Sequence, residues 1–483
     1  MGARTGSEYL EGLRQGNAEI WLGDERITDV TTHPALQGCA RSMAALYDMQ
    51  HTKDLRDEMT YPSPTTGDPV GLSFITPRTH EDLQKRSAMM FNWSRFSGGM
   101  LGRSSDYINV EIMAAAAAAD FYNQNDPRFG ENARNYYEYA RENDLCMTHT
   151  LVNPQSNRAL TASGHPSADV ALRIVDENAD GMVVRGARIL ATLGPLADEI
   201  MVFPSTVLKA ASDTNSFAFA FTIPCGTRGM KFICRESLAY GDSQVDHPLS
   251  SRFEEMDTIV VFDDVLVPWD RVFLKSDPNL CTRHFPETGC LAHMAQQVAI
   301  KNVCKTEFVL GIACSIAEAL GSNEFQHVQE KIAECMVNLE VMKACLRASE
   351  ADAKIDKWGV MAPDRAPLDA ARNIFPKLYP RMIEILQLLS ASSLMMIPPD
   401  SAMESPIAED IDRYLAVANR DARSRIKLFR LAWDVACSAF AGRQVLYERF
   451  FFGDPVRMMS VLYHTYDKQP LIDRVDAFLT RNN

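Results

Sequence analysis

The segment ALRIVDENADGMVVRGARIL, residues 171–190, decides the fold class of this chain. It alternates apolar and polar residues, carries β-branched side chains and contains an Asp180-Gly181 pair, a pattern typical of two strands joined by a hairpin. Four later stretches continue the pattern: EIMVFPSTV (199–207), SFAFAFTIP (216–224), GMKFICRES (229–237) and DTIVVFDDVLVPWDRVFL (257–274). Short strands separated by turns predict a compact antiparallel sheet or barrel rather than parallel strands linked by helices.

Helical patterns flank this β region on both sides. Before it, Thr5 and Glu8 have the spacing of a helix capping box, and VEIMAAAAAADFY (110–122) contains six consecutive alanines, which favour helix. After about residue 285 the helical period returns, in FVLGIACSIAEAL (308–320) and through residues 407–446, and it is punctuated by Pro376, Pro380, Pro398 and Pro399.

The chain is therefore predicted to be mainly α with a central β unit. We expect an N-terminal helical domain over 1–144, a middle β domain over 145–280 and a C-terminal helical bundle over 281–483. The broad apolar faces of the last helices also predict assembly through a helix bundle.

Composition excludes several classes of protein. The net charge of -14 argues against a nucleic-acid partner, because an acidic surface repels phosphate. The N-terminus has no apolar signal core, and no stretch reaches the roughly 18 apolar residues of a membrane span. The 11 cysteines are scattered without a CxxC pair, so we expect free, mostly buried thiols and a cytoplasmic protein.

Several catalytic motifs are missing from the sequence. It contains no GxGxxG after a strand and no GxxxxGK[ST], which argues against a built-in nicotinamide site and a P-loop. It contains no HExxH and no GxSxG, so neither a zinc site nor a serine hydrolase is expected. The chain thus lacks the usual machinery for reducing a flavin with NAD(P)H.

Six segments, in order along nearly the whole chain, carry a resemblance to one known family. They are RTGSEYLEGLRQG (4–16), DVTTHPA (29–35), GRSSDYIN (102–109), THTLVNPQSNR (148–158), HPLSSRFEEMDTIVVFDDVLVPWDRVF (247–273) and AGRQVLYERFFFGDPVR (441–457). Together they resemble the large, oxygenase component of 4-hydroxyphenylacetate 3-monooxygenase and its relatives that act on tyrosine-like, coumarate-like and halogenated phenols.

The resemblance implies an acyl-CoA dehydrogenase-like fold and a homotetramer. It also implies a reaction in which FADH2 from a separate reductase combines with O2, and hydroxyl passes from a flavin C4a-hydroperoxide to the carbon beside the phenol oxygen. Such chemistry requires a base or a positive charge at that oxygen, and it requires the exclusion of water. The substrate stays open between a free phenolic acid, a free or carrier-tethered tyrosine and a halophenol, and so does the preference for FAD over FMN.

Three residues match the family positions that surround the phenol oxygen: Arg103, Tyr107 and His149. Arg103 and Tyr107 are four apart, so a helix through GRSSDY would place them on one side. Taken singly, these residues could equally be a surface arginine, a packed tyrosine and a core histidine. Some halophenol-hydroxylating relatives place a catalytic histidine near His293, which is therefore an alternative base.

The resemblance also implies a set of flavin and substrate contacts. Gln155 and Arg158 match flavin-contacting positions, and Thr192 matches a threonine whose hydroxyl can hydrogen-bond the flavin N5 atom. Ser205 and Thr206 match the loop that meets the substrate tail. A C-terminal turn, which could serve a neighbouring subunit's flavin, and the helix before it supply the last positions: Phe452, Gly453, Asp454 and Arg443.

Three other readings share the fold or the composition. A 4-hydroxybutyryl-CoA dehydratase needs cysteine ligands for an iron–sulfur cluster, and residues 92–107 contain no cysteine. An acyl-CoA dehydrogenase needs a catalytic carboxylate, which the sequence does not exclude, but GRSSDY and PQSNR argue against it. A non-catalytic binding protein would not require Arg103, Tyr107 and His149 together. No metal site is expected.

Overall fold

The computed structural model of the chain describes residues 2–154, 170–205, 212–241 and 243–481. Within these ranges a helical block leads into two β-sheets and then into a second helical block, so the predicted fold class is confirmed. The Asp180-Gly181 hairpin is also confirmed, since the amide of Asn178 donates to the carbonyl of Gly181 at 3.0 Å between two paired strands.

The first block is helical with four short strands. Its first helix starts at the predicted capping box, in which Thr5 and Glu8 each bond the other's backbone amide. The elements are α1 Gly6–Gln15, β1 Glu19–Leu22, β2 Glu25–Ile27, α2 Gln37–Met49, α3 Arg56–Met59, β3 Thr60–Pro62, β4 Pro69–Gly71, α4 His80–Phe96, α5 Asp106–Ala117, α6 Ala119–Tyr122 and α7 Pro127–Glu142.

The middle and C-terminal blocks follow in the predicted order. The middle block contains β5 Met147–Thr150, β6 Arg173–Glu177, β7 Gly181–Thr192, β8 Glu199–Val202, β9 Phe219–Pro224, β10 Met230–Cys234, α8 Ser250–Phe253, β11 Asp257–Pro268 and β12 Val272–Lys275. The last block contains α9 Pro278–Glu287, α10 Cys290–Ala319, α11 Gln326–Ala351, β13 Lys354–Ile355, β14 Met361–Ala362, α12 Arg365–Ser390, α13 Ala408–Tyr414, α14 Ala422–Ala436, α15 Ala439–Phe450, α16 Pro455–Thr465 and α17 Gln469–Thr480.

The two sheets are mixed rather than purely antiparallel. A six-stranded sheet has the order β2-β1-β10-β11-β7-β6, and a four-stranded sheet has the order β12-β9-β8-β5. The expectation of an antiparallel unit was wrong for two pairs, because β1 pairs with β10 and β5 with β8 in parallel. Parallel pairing needs a long connection, and long stretches of chain separate both pairs. The first block thus contributes two strands to the larger sheet.

The helix α10 forms the centre of the last block. It packs against α4 and α5 of the first block and against α11 and α12 of its own. Most of its 30 residues are buried, including polar ones such as His293, Gln296, Lys301 and Lys305. A helix buried on nearly every side must pair its polar side chains inside the protein, and α10 accordingly joins the two helical blocks.

Two prolines that the sequence suggested as helix breaks lie inside a helix. Pro376 and Pro380 were expected to punctuate the helices, but both lie inside α12, which runs unbroken from Arg365 to Ser390. The local cost of a helical proline is about 3 kcal/mol, and packing of α12 against α10 and α11 outweighs it. In the described part of the chain, no helix is long and apolar enough to cross a membrane.

Candidate active site

Arg103 lies in a buried aromatic cage where the three blocks meet. Its guanidinium carbon is 4.3 Å from the ring centre of Tyr107, 5.0 Å from that of Phe451 and 5.3 Å from that of Tyr447. Its Nη1 donates to the Tyr447 hydroxyl at 2.7 Å, and that hydroxyl donates to the Gly102 carbonyl at 3.0 Å. Aromatic faces attract a cation most strongly when it is desolvated, so the cage fixes a buried positive charge.

Arg103 and Tyr107 meet for a different reason from the one expected. They do not share a helix, because α5 begins only at Asp106 and Arg103 precedes it. The amides of Gly102 and Arg103 instead donate to one carboxylate oxygen of Glu255, each at 2.6 Å. A buried carboxylate that accepts two successive amides fixes the loop to the middle block, and the Arg103 guanidinium lies over the Tyr107 ring.

His149, on the four-stranded sheet, completes the predicted group with Arg103 and Tyr107. On β5, its ring centre lies 5.5 Å from that of Tyr107 and 5.4 Å from that of Phe203. Burial, together with the charge of Arg103, holds the pKa of His149 well below its ordinary value, and its Nδ1 has no hydrogen-bond partner. Burial also raises the pKa of Tyr107, with Arg103 acting in the opposite direction. The site thus combines a cation, a neutral phenol and a neutral imidazole.

His293 lies in another hydrogen-bond network. Its Nδ1 is 2.9 Å from Nη2 of Arg86, which also donates to Gln296 at 2.8 Å. Gln296 in turn donates to Glu350 on α11 at 2.9 Å. Burial and the charge of Arg86 hold the pKa of His293 well below its ordinary value. These contacts tie α4, α10 and α11 together, and the role of His293 as a base stays a prediction.

Two buried lysines lie beneath the arginine cage. Lys301 and Lys305 each place Nζ 2.5 Å from the same carboxylate oxygen of Glu448, and Lys305 also donates to Gln444 at 2.7 Å. Lys301 Nζ is 4.8 Å from the ring centre of Phe451. Burial lowers the pKa of Lys301 to about 7, although Glu448 acts the other way. The aromatic cage around Arg103 therefore lies against a second charged cluster, which Lys301 and Lys305 of α10 form with Glu448 of α15.

Thr192 and Arg443, predicted separately as flavin contacts, meet at one carboxylate. The Thr192 hydroxyl donates to Oδ1 of Asp257 at 2.7 Å. Arg443 donates to both oxygens of Asp257, at 2.8 Å and 3.0 Å, and to Glu255 at 2.8 Å. Arg443 thus connects α15 to the end of β7 and to the carboxylate that holds the loop before Arg103. Its contact with flavin stays a prediction.

The remaining predicted contacts of the middle block are less fully described. Gln155, Arg158 and Thr206 lie outside the described residues. Ser205 is buried, and its hydroxyl has no hydrogen-bond partner. An unpaired buried hydroxyl costs free energy, so Ser205 is suited to bind a ligand there.

The predicted C-terminal turn lies between α15 and α16. Phe452 stacks on Arg372, whose guanidinium carbon is 4.0 Å from the ring centre, and its carbonyl accepts from Arg372 at 3.2 Å. Gly453 has φ +125°, which favours glycine, and Asp454 caps α16 by accepting from the amide of Arg457 at 3.0 Å. Asp454 thus has a structural role, and the turn's contact with flavin stays a prediction.

Further buried polar groups, which the sequence did not single out, lie on β7 and just after β5. Arg188 is fully buried and donates from Nη1 to the Leu151 carbonyl at 2.6 Å, but its Nε and Nη2 have no partner among the described residues. Asn153 is buried, and its Oδ1 likewise has no partner in the described part of the chain. Unpaired buried donors and acceptors suit a polar ligand.

A buried acid, imidazole and thiol lie behind the Phe203 wall of the site. Ligand atoms of Glu111, His284 and Cys290 are within 4.8 Å of one another, and the His284 ring centre is 5.9 Å from that of Phe203. His284 and Cys290 are six positions apart, but Glu111 lies far from both along the chain, so no local motif predicts the group. The absence of a metal stays a prediction.

The sequence analysis also missed Glu255, Asp257 and Tyr447. All three lie in segments quoted for the family resemblance, but their neighbours there gave no sign of what they bind. Their side-chain hydrogen-bond partners lie between 22 and 345 positions away along the chain. Only a contact prediction could have found them.

The fold and site define a helix–sheet–helix protein whose buried cation, phenol and imidazole meet beside the middle sheets. A 4-hydroxybutyryl-CoA dehydratase from N. maritimus has the same fold, with a TM-score of 0.87 over 98% of this chain and 95% of that chain. At 18% identity, that likeness is one of fold alone.

The chain belongs to the 4-hydroxyphenylacetate 3-hydroxylase family. Residues 5–274 match the family model described as 4-hydroxyphenylacetate 3-hydroxylase N terminal, and residues 281–480 match the model of its C terminal. The predicted family is therefore confirmed.

Characterised relatives match over almost their whole length. The 4-hydroxyphenylacetate 3-monooxygenase oxygenase component of Geobacillus sp. (strain PA-9) is 50% identical over 480 residues, 99% of this chain and 97% of the relative. The oxygenase component of Thermus thermophilus is 48% identical over 477 residues, again 99% and 97%. A crystal structure of such a component with FAD and 4-hydroxyphenylacetate superposes with a TM-score of 0.96 at 48% identity, covering 99% of both chains.

Proposed function

We propose that this chain is the oxygenase component of a two-component aromatic monooxygenase. It takes reduced FAD from a separate reductase and uses O2 to hydroxylate a phenol at the carbon beside its hydroxyl group. Membership of the 4-hydroxyphenylacetate 3-hydroxylase family supports the reaction. The meeting of Arg103, Tyr107 and His149 is the observation in this molecule that carries it.

Each of the three residues has a distinct proposed role. Attack on the ring needs an electron-rich carbon, so the phenol must give up or share its proton. His149 is neutral and can accept that proton, and Arg103 stabilises the phenolate that forms. Tyr107, whose pKa is raised by burial, remains a hydrogen-bond donor to the same oxygen. His293 is kept as the alternative base.

When bound, reduced FAD supplies two electrons. One oxygen atom of O2 ends in the new hydroxyl group and the other in water. We propose that Thr192, Gln155 and Arg158 hold the flavin, together with Arg443 and the turn formed by Phe452, Gly453 and Asp454. A hydroxyl, an amide and guanidinium groups suit the flavin ring edge and the pyrophosphate. Thr192 and Arg443 already share Asp257 as a partner, which supports a single flavin-facing site.

We propose a phenolic acid such as 4-hydroxyphenylacetate as the substrate. Arg188 is a buried cation with unpaired donors, and it donates to the carbonyl of Leu151, which follows His149 by two residues along the chain. A carboxylate tail would satisfy such a group, with Ser205 and Thr206 as further partners. A carrier-tethered phenol lacks that free carboxylate and is the less favoured alternative.

We propose that the chain works as a homotetramer in a reducing compartment such as the cytoplasm. Residues of α16 and α17 expose much apolar surface that a second copy could cover, including Val456, Tyr463, Val475, Phe478 and Leu479. All eleven cysteines are free, which is typical of a reducing setting.

The proposal is tested with purified chain, enzymatically reduced FAD, O2 and a panel of phenols. We expect hydroxylated product to exceed hydrogen peroxide for 4-hydroxyphenylacetate, and less product for 4-methylphenol, which lacks the carboxylate. His149→Ala and His293→Ala variants are compared across pH. A loss of product relative to peroxide in only one variant identifies the base, and full coupling in both would exclude either histidine. Peroxide alone with every phenol would contradict the proposed function.

A further inference from the structure

Asp257 is saturated by four donors. Its Oδ1 accepts from the Thr192 hydroxyl at 2.7 Å and from Nη2 of Arg443 at 2.8 Å. Its Oδ2 accepts from Nε of Arg443 and from Nε of Arg235, each at 3.0 Å. Burial alone would raise the pKa of Asp257, but the two guanidinium groups outweigh it and hold that pKa well below its ordinary value. The carboxylate is therefore ionised and can only accept hydrogen bonds.

The backbone fixes Thr192 beside this carboxylate. Thr192 and Asp257 are directly opposite each other in the β7–β11 ladder, at the last residue of β7 and the first of β11. Left-handed residues adjoin both, since Leu193 has φ +67° and Met256 has φ +52°. The Thr192 carbonyl accepts from the Thr148 hydroxyl at 2.6 Å. Both the position and the rotation of the Thr192 side chain are therefore constrained.

The direction of the Thr192 hydroxyl bond follows from this geometry. A threonine hydroxyl has one proton and two lone pairs. Its proton is committed to Asp257, because an ionised carboxylate has none to give. The oxygen of Thr192 can therefore offer only lone pairs to any further partner.

We infer that Asp257 is a positioning residue that turns the Thr192 oxygen into an obligate acceptor for the N5–H group of reduced flavin. The inference rests on the proposed function, in which Thr192 faces N5. Reduced flavin has an N–H group at N5 that can donate a hydrogen bond. In oxidised flavin N5 has no proton and presents a lone pair. Two facing lone pairs repel, so the pair Asp257–Thr192 favours reduced over oxidised FAD.

An oxygenase whose flavin comes from a separate reductase needs this preference for reduced over oxidised FAD. The oxygenase must capture reduced flavin in the presence of oxidised flavin, and it must release the oxidised form after turnover. A ligand-binding site discriminates only through a difference in affinity between the two forms. Asp257 supplies such a difference without touching the flavin itself.

The test measures the ratio of the dissociation constants of oxidised and reduced FAD, the latter under anaerobic conditions. Thr192→Val removes the acceptor, and Asp257→Asn lets the side-chain amide donate to Thr192, which frees the threonine proton to point at N5. We expect each variant to lower the ratio about tenfold. For a two-electron couple that lowers the midpoint potential of bound FAD by about 30 mV. Asp257→Asn should also tighten the binding of oxidised FAD.

Two further variants separate positioning from structural damage. In the double variant Thr192→Val with Asp257→Asn, the ratio should fall no further than in Thr192→Val alone. Glu254→Gln is the matched control, because it removes a buried charge that pairs with Arg235 at 2.6 Å without contacting Thr192. It should leave the ratio unchanged.

The outcomes are distinguishable. If Asp257→Asn keeps the wild-type ratio while Thr192→Val loses it, the inference is overturned and the proposed function stands. If wild-type protein binds neither form of FAD, the proposed function fails first. If Asp257→Asn does not fold, Asp257→Glu replaces it in the test. This variant keeps the negative charge beside both arginines but moves the carboxylate away from Thr192. An unchanged ratio of dissociation constants in Asp257→Glu overturns the inference equally.

Discussion

Arg103 is the residue on which the proposed chemistry depends most. Its guanidinium is flat, and it lies 4.3 Å from the ring centre of Tyr107 while donating to the hydroxyl of Tyr447. A lysine ammonium would keep the charge but could neither stack in this way nor present two parallel donors. The site therefore requires arginine for its shape as well as for its charge.

We predict that Arg103→Lys lowers kcat/KM for 4-hydroxyphenylacetate by about tenfold to hundredfold, the cost of losing a hydrogen bond to a charged group. The affinity for reduced FAD should change little. Steady-state hydroxylation with separately measured flavin binding checks this. Arg95→Lys, which alters an exposed arginine 4.9 Å from the ring centre of Phe91, is the control. Equal losses in both variants would contradict the assignment.

His149 should make the folded protein sensitive to acid. Its pKa is depressed in the folded state by burial and by Arg103, so below about pH 6.5 the unfolded chain binds a proton that the folded chain does not. Stability is therefore highest above that pH and falls as the pH drops toward the folded pKa. His149→Gln should reduce the slope of the unfolding free energy between pH 6.5 and 5 by up to about 1.4 kcal/mol per pH unit.

Urea unfolding at several pH values measures this slope. His327→Gln, on the exposed surface of α11, is the control and should leave the slope unchanged. An unchanged slope in His149→Gln would mean that the pKa of His149 is the same in the folded and the unfolded chain, which contradicts a lowering by burial and by Arg103.

At the scale of elements, buried ion pairs connect α10 to α15 inside the core. Glu448 on α15 is the shared partner of Lys301 and Lys305 on α10, and all three side chains are buried. With both lysines protonated the cluster has a net charge of +1, but the pKa of Lys301 is lowered to about 7, so near neutral pH its net charge lies between zero and +1. Breaking such a cluster is costly because the remaining charges lose their partner without regaining water.

We predict that Glu448→Gln lowers the free energy of unfolding by about 3–5 kcal/mol. Glu384→Gln, which removes an exposed partner of Arg381, should cost less than about 1 kcal/mol. Chemical denaturation of both variants makes the comparison. Similar small losses would show that the lysines shed their protons once the Glu448 carboxylate is gone, as the lowered pKa of Lys301, about 7, would permit.

At the scale of the whole molecule, the last helix has an uncovered apolar stripe. Leu471, Ile472, Val475, Phe478 and Leu479 recur at helical spacing and are 49–67% exposed. A stripe of this kind, left exposed in a single copy of the chain, marks a contact with another molecule. A second copy of the chain is the partner proposed above.

We predict that Phe478→Asp together with Val475→Asp reduces the proposed tetramer to smaller species. The added carboxylates would have to be buried without partners in the interface. Sedimentation velocity measures the mass, and Asp476→Asn on the same helix is the control. An unchanged mass in the double variant would exclude α17 from the interface.

How much the sequence could predict differs between these scales. Elements were predicted well where the pattern is local, as in the capping box at Thr5 and the hairpin at Asp180-Gly181. They were predicted less well where packing overrides propensity, as for Pro376 and Pro380 inside α12. Arg103 and Tyr107 were paired correctly for the wrong reason, because a distant carboxylate rather than a helix holds the loop.

The sequence by itself determined the order of helical and β blocks, the family, and the identity of the cation, phenol and imidazole. These features depend on residue type and short spacing, which a chain carries before it folds. Only the tertiary structure decided that Glu255 and Asp257 organise the site, that Arg188 has two donors without a partner among the described residues, and that the Thr192 hydroxyl donates to Asp257. Those properties depend on which distant groups share a buried space, and burial determines both the partners and the protonation of each.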